Sequence, residues 1–245
     1  MRGARSKLNL VIPVLCIWGA LLAAGGLAAP SPALASEMQV LDWTLGYQVQ
    51  YDINGNRNQT AYTAEFSVRV DDFSDMVAYC VDLLQTIDKG QTYKVNLDPV
   101  MAHPVSTLQA AWLMGHYAPG LGLVDSGVSL KAGITALQIA IWEVIYDHAG
   151  TDLASGHFVL KNVYGSESAL VQQLARQYLA SLPDNIASTG LTIAGVARSG
   201  KVQDLLYGNK SSGATPEPGS MLLFGSAAAC VGWLRRRKAR SAAQE

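Results

Sequence analysis

Each end of the chain carries an uncharged apolar stretch flanked by basic residues, so only the middle is free to build a core in water. At the N-terminus Arg2, Arg5 and Lys7 precede an apolar run from Leu8 to about Leu27. Ala33-Leu34-Ala35 then offers the small-x-small pattern that a signal peptidase cuts. That order is a secretory signal, residues 1–35, and it is excluded from the fold. Pro13, Pro30 and Pro32 interrupt the run, which argues against an uncleaved anchor. At the other end Pro216-Glu217-Pro218 is followed by an uncharged segment, residues 220–234, and then by Arg235, Arg236, Arg237 and Lys238. The segment is shorter than the roughly 20 residues of a comfortable span and is rich in small residues, so it predicts a weak transmembrane helix. Its basic end stays cytoplasmic by the positive-inside rule, which leaves residues 239–245 as a cytoplasmic tail and puts the upstream domain across the membrane.

Pro-Glu-Pro, a short span and an arginine cluster, in that order, resemble the PEP-CTERM sorting signal of Gram-negative bacteria over residues 216–238. The resemblance implies handling by an exosortase-type membrane enzyme. It also implies at least transient anchoring in the inner membrane through this helix. Delivery to the cell surface or to an exopolysaccharide matrix would follow. Residues 211–215 form the linker before it.

Residues 36–210 remain, enough for one domain with a real core. They hold ten Lys and Arg against seventeen Asp and Glu, a balance of −7 that the whole-chain value of −1 conceals. An acidic exported domain is a poor partner for nucleic acid. Alternation predicts a strand over Val40–Asp52 with Trp43, Leu45, Tyr47 and Val49 on one face, then a turn at Asn54-Gly55. A second strand follows over Tyr62–Val70, with Tyr62, Ala64, Phe66, Val68 and Val70 sharing a face, and a third over Met76–Leu84. Helices are expected after Ser106, over Lys131–His148, and after Ser166 as far as Pro183. Short strands return around Leu191, Ile193, Val196, Val202 and Leu205. The fold class is therefore α+β, a β-rich sandwich or barrel-like domain with a helical insert.

Without the two end segments Cys80 is the single cysteine, since Cys16 lies in the signal and Cys230 in the tail. Exported proteins ordinarily pair their thiols, so an odd one points to reactivity or to intermolecular pairing. Gln138 is the second anomaly. Ile134, Ile141, Trp142 and Ile145 share its helical face, and an amide facing such a core costs on the order of 1–3 kcal/mol unless it finds partners. Either backbone groups supply those partners or the amide has been consumed chemically.

Tyr79-Cys80-Val81-Asp82, followed by Leu137-Gln138-Ile139-Ala140-Ile141-Trp142, resembles the two signatures of bacterial surface thioester domains. The second signature usually places threonine before the glutamine; here Leu137 holds that position and Thr135 stands nearby. The resemblance implies that the Cys80 sulfur displaces the Gln138 side-chain nitrogen as ammonia. An amine or hydroxyl on a surface protein or polysaccharide then displaces the sulfur. Tyr79, Asp82 and Trp142 form the expected surroundings of the bond. Such a domain attaches itself once and is not a turnover enzyme. Closing a loop of 57 intervening residues also stabilises the fold by about 4 kcal/mol on the chain-entropy estimate.

Two other readings stand beside this one. In the first, Cys80 is a buried apolar group in a non-covalent matrix or structural module. In the second, it is the nucleophile of a cysteine hydrolase with His116 or His148 as base. The four histidines, His103, His116, His148 and His157, lack zinc-site spacing, and Asp52–Thr63 departs from a calcium loop at its glycine and terminal acid positions. No metal or cofactor is expected. Glu143 and Asp147, at i and i+4, are read as a solvated helix face.

Overall fold

The computed structural model describes residues 36–123, 127–147, 152–186 and 195–209. The expected signal peptide, linker, sorting helix and cytoplasmic tail, with Leu191, Ile193 and His148, lie outside them. Among the described residues, seven strands and three helices follow in the order β1 (Ser36–Ile53), β2 (Asn56–Val70), β3 (Phe73–Cys80), β4 (Thr92–Asp98), α1 (Val105–Tyr117), α2 (Leu130–Asp147), β5 (Phe158–Tyr164), α3 (Ser168–Ala180), β6 (Gly195–Arg198) and β7 (Leu205–Asn209). Every pairing between strands is antiparallel. The ladder runs β2-β3-β7-β6-β4-β1, and β1 pairs again with β2, so the sheet closes on itself. Strand β5 lies outside that ring against the second half of β1. The domain is thus sheet-rich and barrel-like, with its helices grouped between β4 and β6.

Closure explains why β1 does not keep one face. Its register shifts between Val40 and Asp42, between Leu45 and Gln48, and between Tyr51 and Ile53. The first two each insert a residue into β1 and turn the side chains that follow to the other face, whereas the third places its extra residue in β2. The buried set is Met38 and Val40, then Gly46, then Val49, Tyr51 and Ile53. Trp43 and Tyr47 are only half-buried, and Leu45 is exposed, contrary to the single face expected from alternation. Gly46 is needed at the middle of the strand because a Cβ there would overlap the Oγ1 atoms of Thr63 and Thr135. The expected hairpin is present, with Asn54 at φ 47° and Gly55 at φ 84° carrying the positive angles of a tight turn. In β2 the set Ala64, Phe66, Val68 and Val70 is buried as expected, whereas Tyr62 is exposed.

The third strand stops at Cys80 rather than continuing to Leu84, and Val81 onward is loop. Neither predicted serine caps its helix. Pro104 occupies the cap position of α1 and Ser106 is buried inside it, while Glu167 precedes α3, which ends at Ala180. At α2 the cap-like role falls to Ser129, whose Oγ accepts from the Ala132 N–H at 3.1 Å.

Helix α2 is the centre of the molecule. Every residue from Ala132 to Val144 is buried, so it has no solvated face at all over that stretch. It packs against α1, α3, β1, β2 and β5. Large side chains along it, including Ile134, Leu137, Ile141 and Trp142, are wholly enclosed, each contributing roughly 1.5–3 kcal/mol by leaving water.

Candidate functional site

The end of β3 and the middle of α2 meet at Cys80. Gln138 is fully buried, and its amide grips the Cys80 backbone from both sides. The Cys80 N–H donates to Gln138 Oε1 at 3.2 Å, and Gln138 Nε2 donates to the Cys80 carbonyl at 2.8 Å. This is the pattern by which one strand residue pairs with another, supplied here by a side chain. It satisfies the backbone where β3 ends at Cys80. The Cys80 thiol, 3 % exposed, donates to the Asp82 carbonyl at 2.8 Å, and Gln203 Nε2 donates to the same oxygen at 2.8 Å.

Gln138, Trp142 and Tyr146 recur at four-residue spacing, so α2 presents them as one stripe toward the loop after β3. The Trp142 indole lies beside the sulfur and favours negative charge there, but its Nε1 is buried without a hydrogen-bond acceptor. The Tyr146 hydroxyl accepts from the Leu83 N–H at 3.0 Å and so anchors the loop. Tyr51 from β1 closes the cluster, its ring 6.0 Å from Trp142 and 5.7 Å from Phe158. Burial pushes the Cys80 thiol up to about 12 from 9.0, outweighing the opposing contributions of the Trp142 indole and the Asp82 backbone. Burial likewise raises Tyr146 to about 12.

Tyr79 points away from Cys80 on the strand and ties the neighbouring layer. Its hydroxyl donates to Glu65 Oε2 at 2.7 Å, and the Gly120 N–H donates to the same oxygen at 2.8 Å. Asp82 contributes its carbonyl to the thiol, while its carboxylate holds the turn by accepting from the Leu84 N–H at 2.8 Å. Thr135 stands apart from the sulfur, bonded to the Tyr47 N–H at 2.8 Å and to Thr63 Oγ1 at 3.0 Å.

Of the residues singled out from the sequence, Cys80, Gln138, Asp82 and Trp142 converge, and Tyr79 braces the strand behind them. Tyr51, Tyr146 and Gln203 were not foreseen. Tyr146 was within reach, being two turns beyond Gln138, whereas nothing local marked Gln203. His116 is exposed on α1, with its ring stacked at 3.8 Å on Trp112 and Nδ1 2.7 Å from the Trp112 carbonyl, and it is bonded to neither Cys80 nor Gln138. Glu143 overturns the expectation of a solvated face. It is wholly buried, both carboxylate oxygens lack a hydrogen-bond partner, and burial together with Asp147 and Asp152 raises it to about 8 from 4.5. Asp147 is engaged too, accepting from the His157 and Phe158 N–H groups. Among the described residues no group of three His, Cys, Asp or Glu side chains gathers as a metal site.

The PEP-CTERM protein-sorting motif matches residues 214–238. Comparisons with curated proteins and with solved structures find no match. The sorting motif implies an exported protein recognised by exosortase, a membrane processing enzyme. Pro216, Glu217, Pro218, Arg235, Arg236 and Arg237 all fall within it, outside the described residues. Among the described residues no helix is long and apolar enough to cross a membrane.

Proposed function

We propose that the domain forms an internal thioester between Cys80 and Gln138 and uses it to attach covalently to a partner outside the cell. The observation that carries this reading is the clamp. The buried side-chain amide of Gln138 is bound to the backbone of Cys80, 58 positions away, which puts it on the same residue as the buried thiol. In the first step Sγ bonds to the Gln138 side-chain carbonyl carbon, the C–N bond breaks, and nitrogen leaves as ammonia with the thiol proton. In the second step an amine or hydroxyl bonds to the same carbon and the C–S bond breaks. The partner's proton then returns to sulfur as the free thiol. Trp142 and Tyr51 shield the acyl group from hydrolysis.

The clamp also supports a second reading. Both amide atoms of Gln138 already have backbone partners, which is what a non-covalent structural module with an inert Cys80 requires. The hydrolase reading is weakened by a thiol raised to about 12 and by a His116 turned to Trp112. Intact mass of the purified chain separates these readings. The thioester requires a deficit of one ammonia, absent in Cys80→Ala after correction for the substitution, and uptake of methylamine by wild type alone. A wild-type mass equal to the sequence mass, with no methylamine uptake, leaves the non-covalent module. We further propose that the sorting tail passes through the inner membrane and delivers the domain to the cell surface or its exopolysaccharide matrix.

A further inference from the structure

A cleft of about 500 Å³ opens beside the Cys80 site. Strand β2 creates it. Its pairing with β3 covers only Phe66 to Val70, so from Asn56 to Glu65 that edge has no strand partner among the described residues. The segment after β3 contributes Leu83, Thr86 and Asp88 to the lining, and β2 contributes Thr60, Tyr62 and Ala64. The rim is apolar and open, with Tyr62 62 % and Leu45 41 % exposed. Trp43 packs edge-on against Phe66, their centroids 6.0 Å apart, to make one wall.

The inner end of the cleft reaches the site. Its lining includes Tyr51, Leu83 and Gln203. Tyr51 stacks near Trp142, Leu83 is tied to Tyr146, and Gln203 shares the Asp82 carbonyl with the Cys80 thiol. Each of these three lining residues touches a residue that surrounds the Cys80–Gln138 pair. Cys80 itself does not line the cleft, so Gln203 and its neighbours form a thin floor between them.

What the cleft fits follows from its edge and its charge. An unpaired strand edge offers alternating N–H and C=O groups, which match an extended polypeptide and not a sugar chain. Asp88 is the only charged residue in the lining, and its carboxylate makes no ion pair among the described residues. The surrounding domain is acidic by seven charges. A cationic side chain is therefore favoured and an anionic one disfavoured.

Building on the thioester reading, we infer that this cleft docks an extended, lysine-bearing polypeptide along the free edge of β2 and delivers its amine to the Gln138 acyl group. The lysine gives its ammonium proton to water and bonds through nitrogen to the acyl carbon. The C–S bond breaks, and the second proton of the amine passes to sulfur. The product is an isopeptide between partner and Gln138, with Cys80 left as a thiol. The floor explains selectivity: a bulky nucleophile reaches the acyl group only after occupying the cleft.

The test uses the full chain purified in detergent and two amines. One is a ten-residue peptide of alternating valine and threonine with a central lysine. The other is methylamine, which needs no docking. Mass spectrometry should show the peptide adding at least tenfold faster than methylamine at equal concentration. Asp88→Lys should slow the peptide at least tenfold and change methylamine less than twofold; Tyr62→Ala should act in the same sense. If methylamine adds and the peptide is no faster, the thioester reading stands and the docking inference is overturned. Docking is overturned equally if a neutral glucose hexamer is taken up in preference to the peptide. If neither amine adds, the thioester reading has failed. Calorimetry of the peptide with Cys80→Ala then decides docking: binding lost in Cys80→Ala with Asp88→Lys supports the cleft, and no binding at millimolar peptide overturns it.

Discussion

Glu143 makes the stability of this domain depend on pH in a direction opposite to that of most carboxylates. It is buried without hydrogen bonds and raised to about 8, against 4.5 for a free side chain. Between those values the native state keeps a proton that the unfolded chain has released. Stability therefore falls as pH rises from 4.5 to about 8 and is flat beyond. Each pH unit in that window costs at most about 1.4 kcal/mol. Glu143 lies one turn from the end of α2, beside Asp147 and Asp152, where water penetration and relaxation lower the loss. A few kcal/mol, about 2–4, is the expected total. Glu143→Gln keeps shape and polarity but cannot ionise, so its curve should lack this slope. Urea unfolding of both proteins from pH 5 to pH 9, in a Cys80→Ala background to remove thiol titration and thioester hydrolysis, isolates the group. The wild-type minus mutant difference should move by that amount, with the mutant the more stable at pH 9. Other titrating groups, Asp204 among them, are common to both and cancel. Parallel curves would falsify the assignment of a neutral, buried Glu143.

Three further perturbations test other parts of the structure. Gln138→Ala should strip both partners from the Cys80 backbone, lower stability by about 2–4 kcal/mol, and expose a thiol to a thiol reagent in the folded state; equal reactivity of wild type and mutant, with a denatured control, refutes the clamp. Gly46→Ala forces a Cβ onto Thr63 and Thr135, and should cost about 2–3 kcal/mol by chemical denaturation, a neutral result showing that the β1 bulge is not where the register places it. Replacing Pro216, Glu217 and Pro218 with alanine should leave uncleaved chain in the inner membrane; fractionation that finds wild type and mutant identical in size and location makes the tail a plain anchor.

The sequence is readable where one face of an element meets the core and misleading where two do. In β2 the apolar residues Ala64, Phe66, Val68 and Val70 are buried as alternation predicts, although Thr63 and Glu65 on the other face are buried as well. In β1 two inserted residues break the same rule, because a strand shared by β2, β4 and β5 has to bend around the ring. Bulges leave little composition signal beyond Gly46. Glu143 fails for a related reason. Its spacing with Asp147 is that of a solvated pair, but α2 is enclosed on every side, so helical periodicity carries no information about which residues are wet. The caps at Ser106 and Ser166 were displaced by Pro104 and Glu167, one or two residues away, which is the usual scale of boundary error. The meeting of Cys80 and Gln138 is of another kind. Periodicity puts each on its own element and says nothing of their contact; only the two short signatures linked them. Gln203, brought in from beyond β6, left no mark at all.

The environment of Cys80 bears on how long an attachment would last. A thiol held near about 12 is ionised to about one part in 10⁵ at pH 7. Such a sulfur is a poor nucleophile unless its proton leaves as it attacks. At this site the proton has a destination, since amide nitrogen must gain one to depart as ammonia. In the proposed reaction the exchange is internal to the Cys80–Gln138 pair and needs no histidine. Once a partner amine has displaced the sulfur, that balance works against return. Reversal requires the same un-ionised thiol to attack an amide, as thioester formation did, but now one whose nitrogen carries the bulky partner, and in competition with the hydrogen bond from Sγ to the Asp82 carbonyl. Ammonia leaves when the thioester forms and diffuses away, whereas attachment frees only the Cys80 thiol, and the burial that suppresses its thiolate also slows any return of the sulfur to the new amide. Under the proposed chemistry, an exported domain would form its bond once and keep the product.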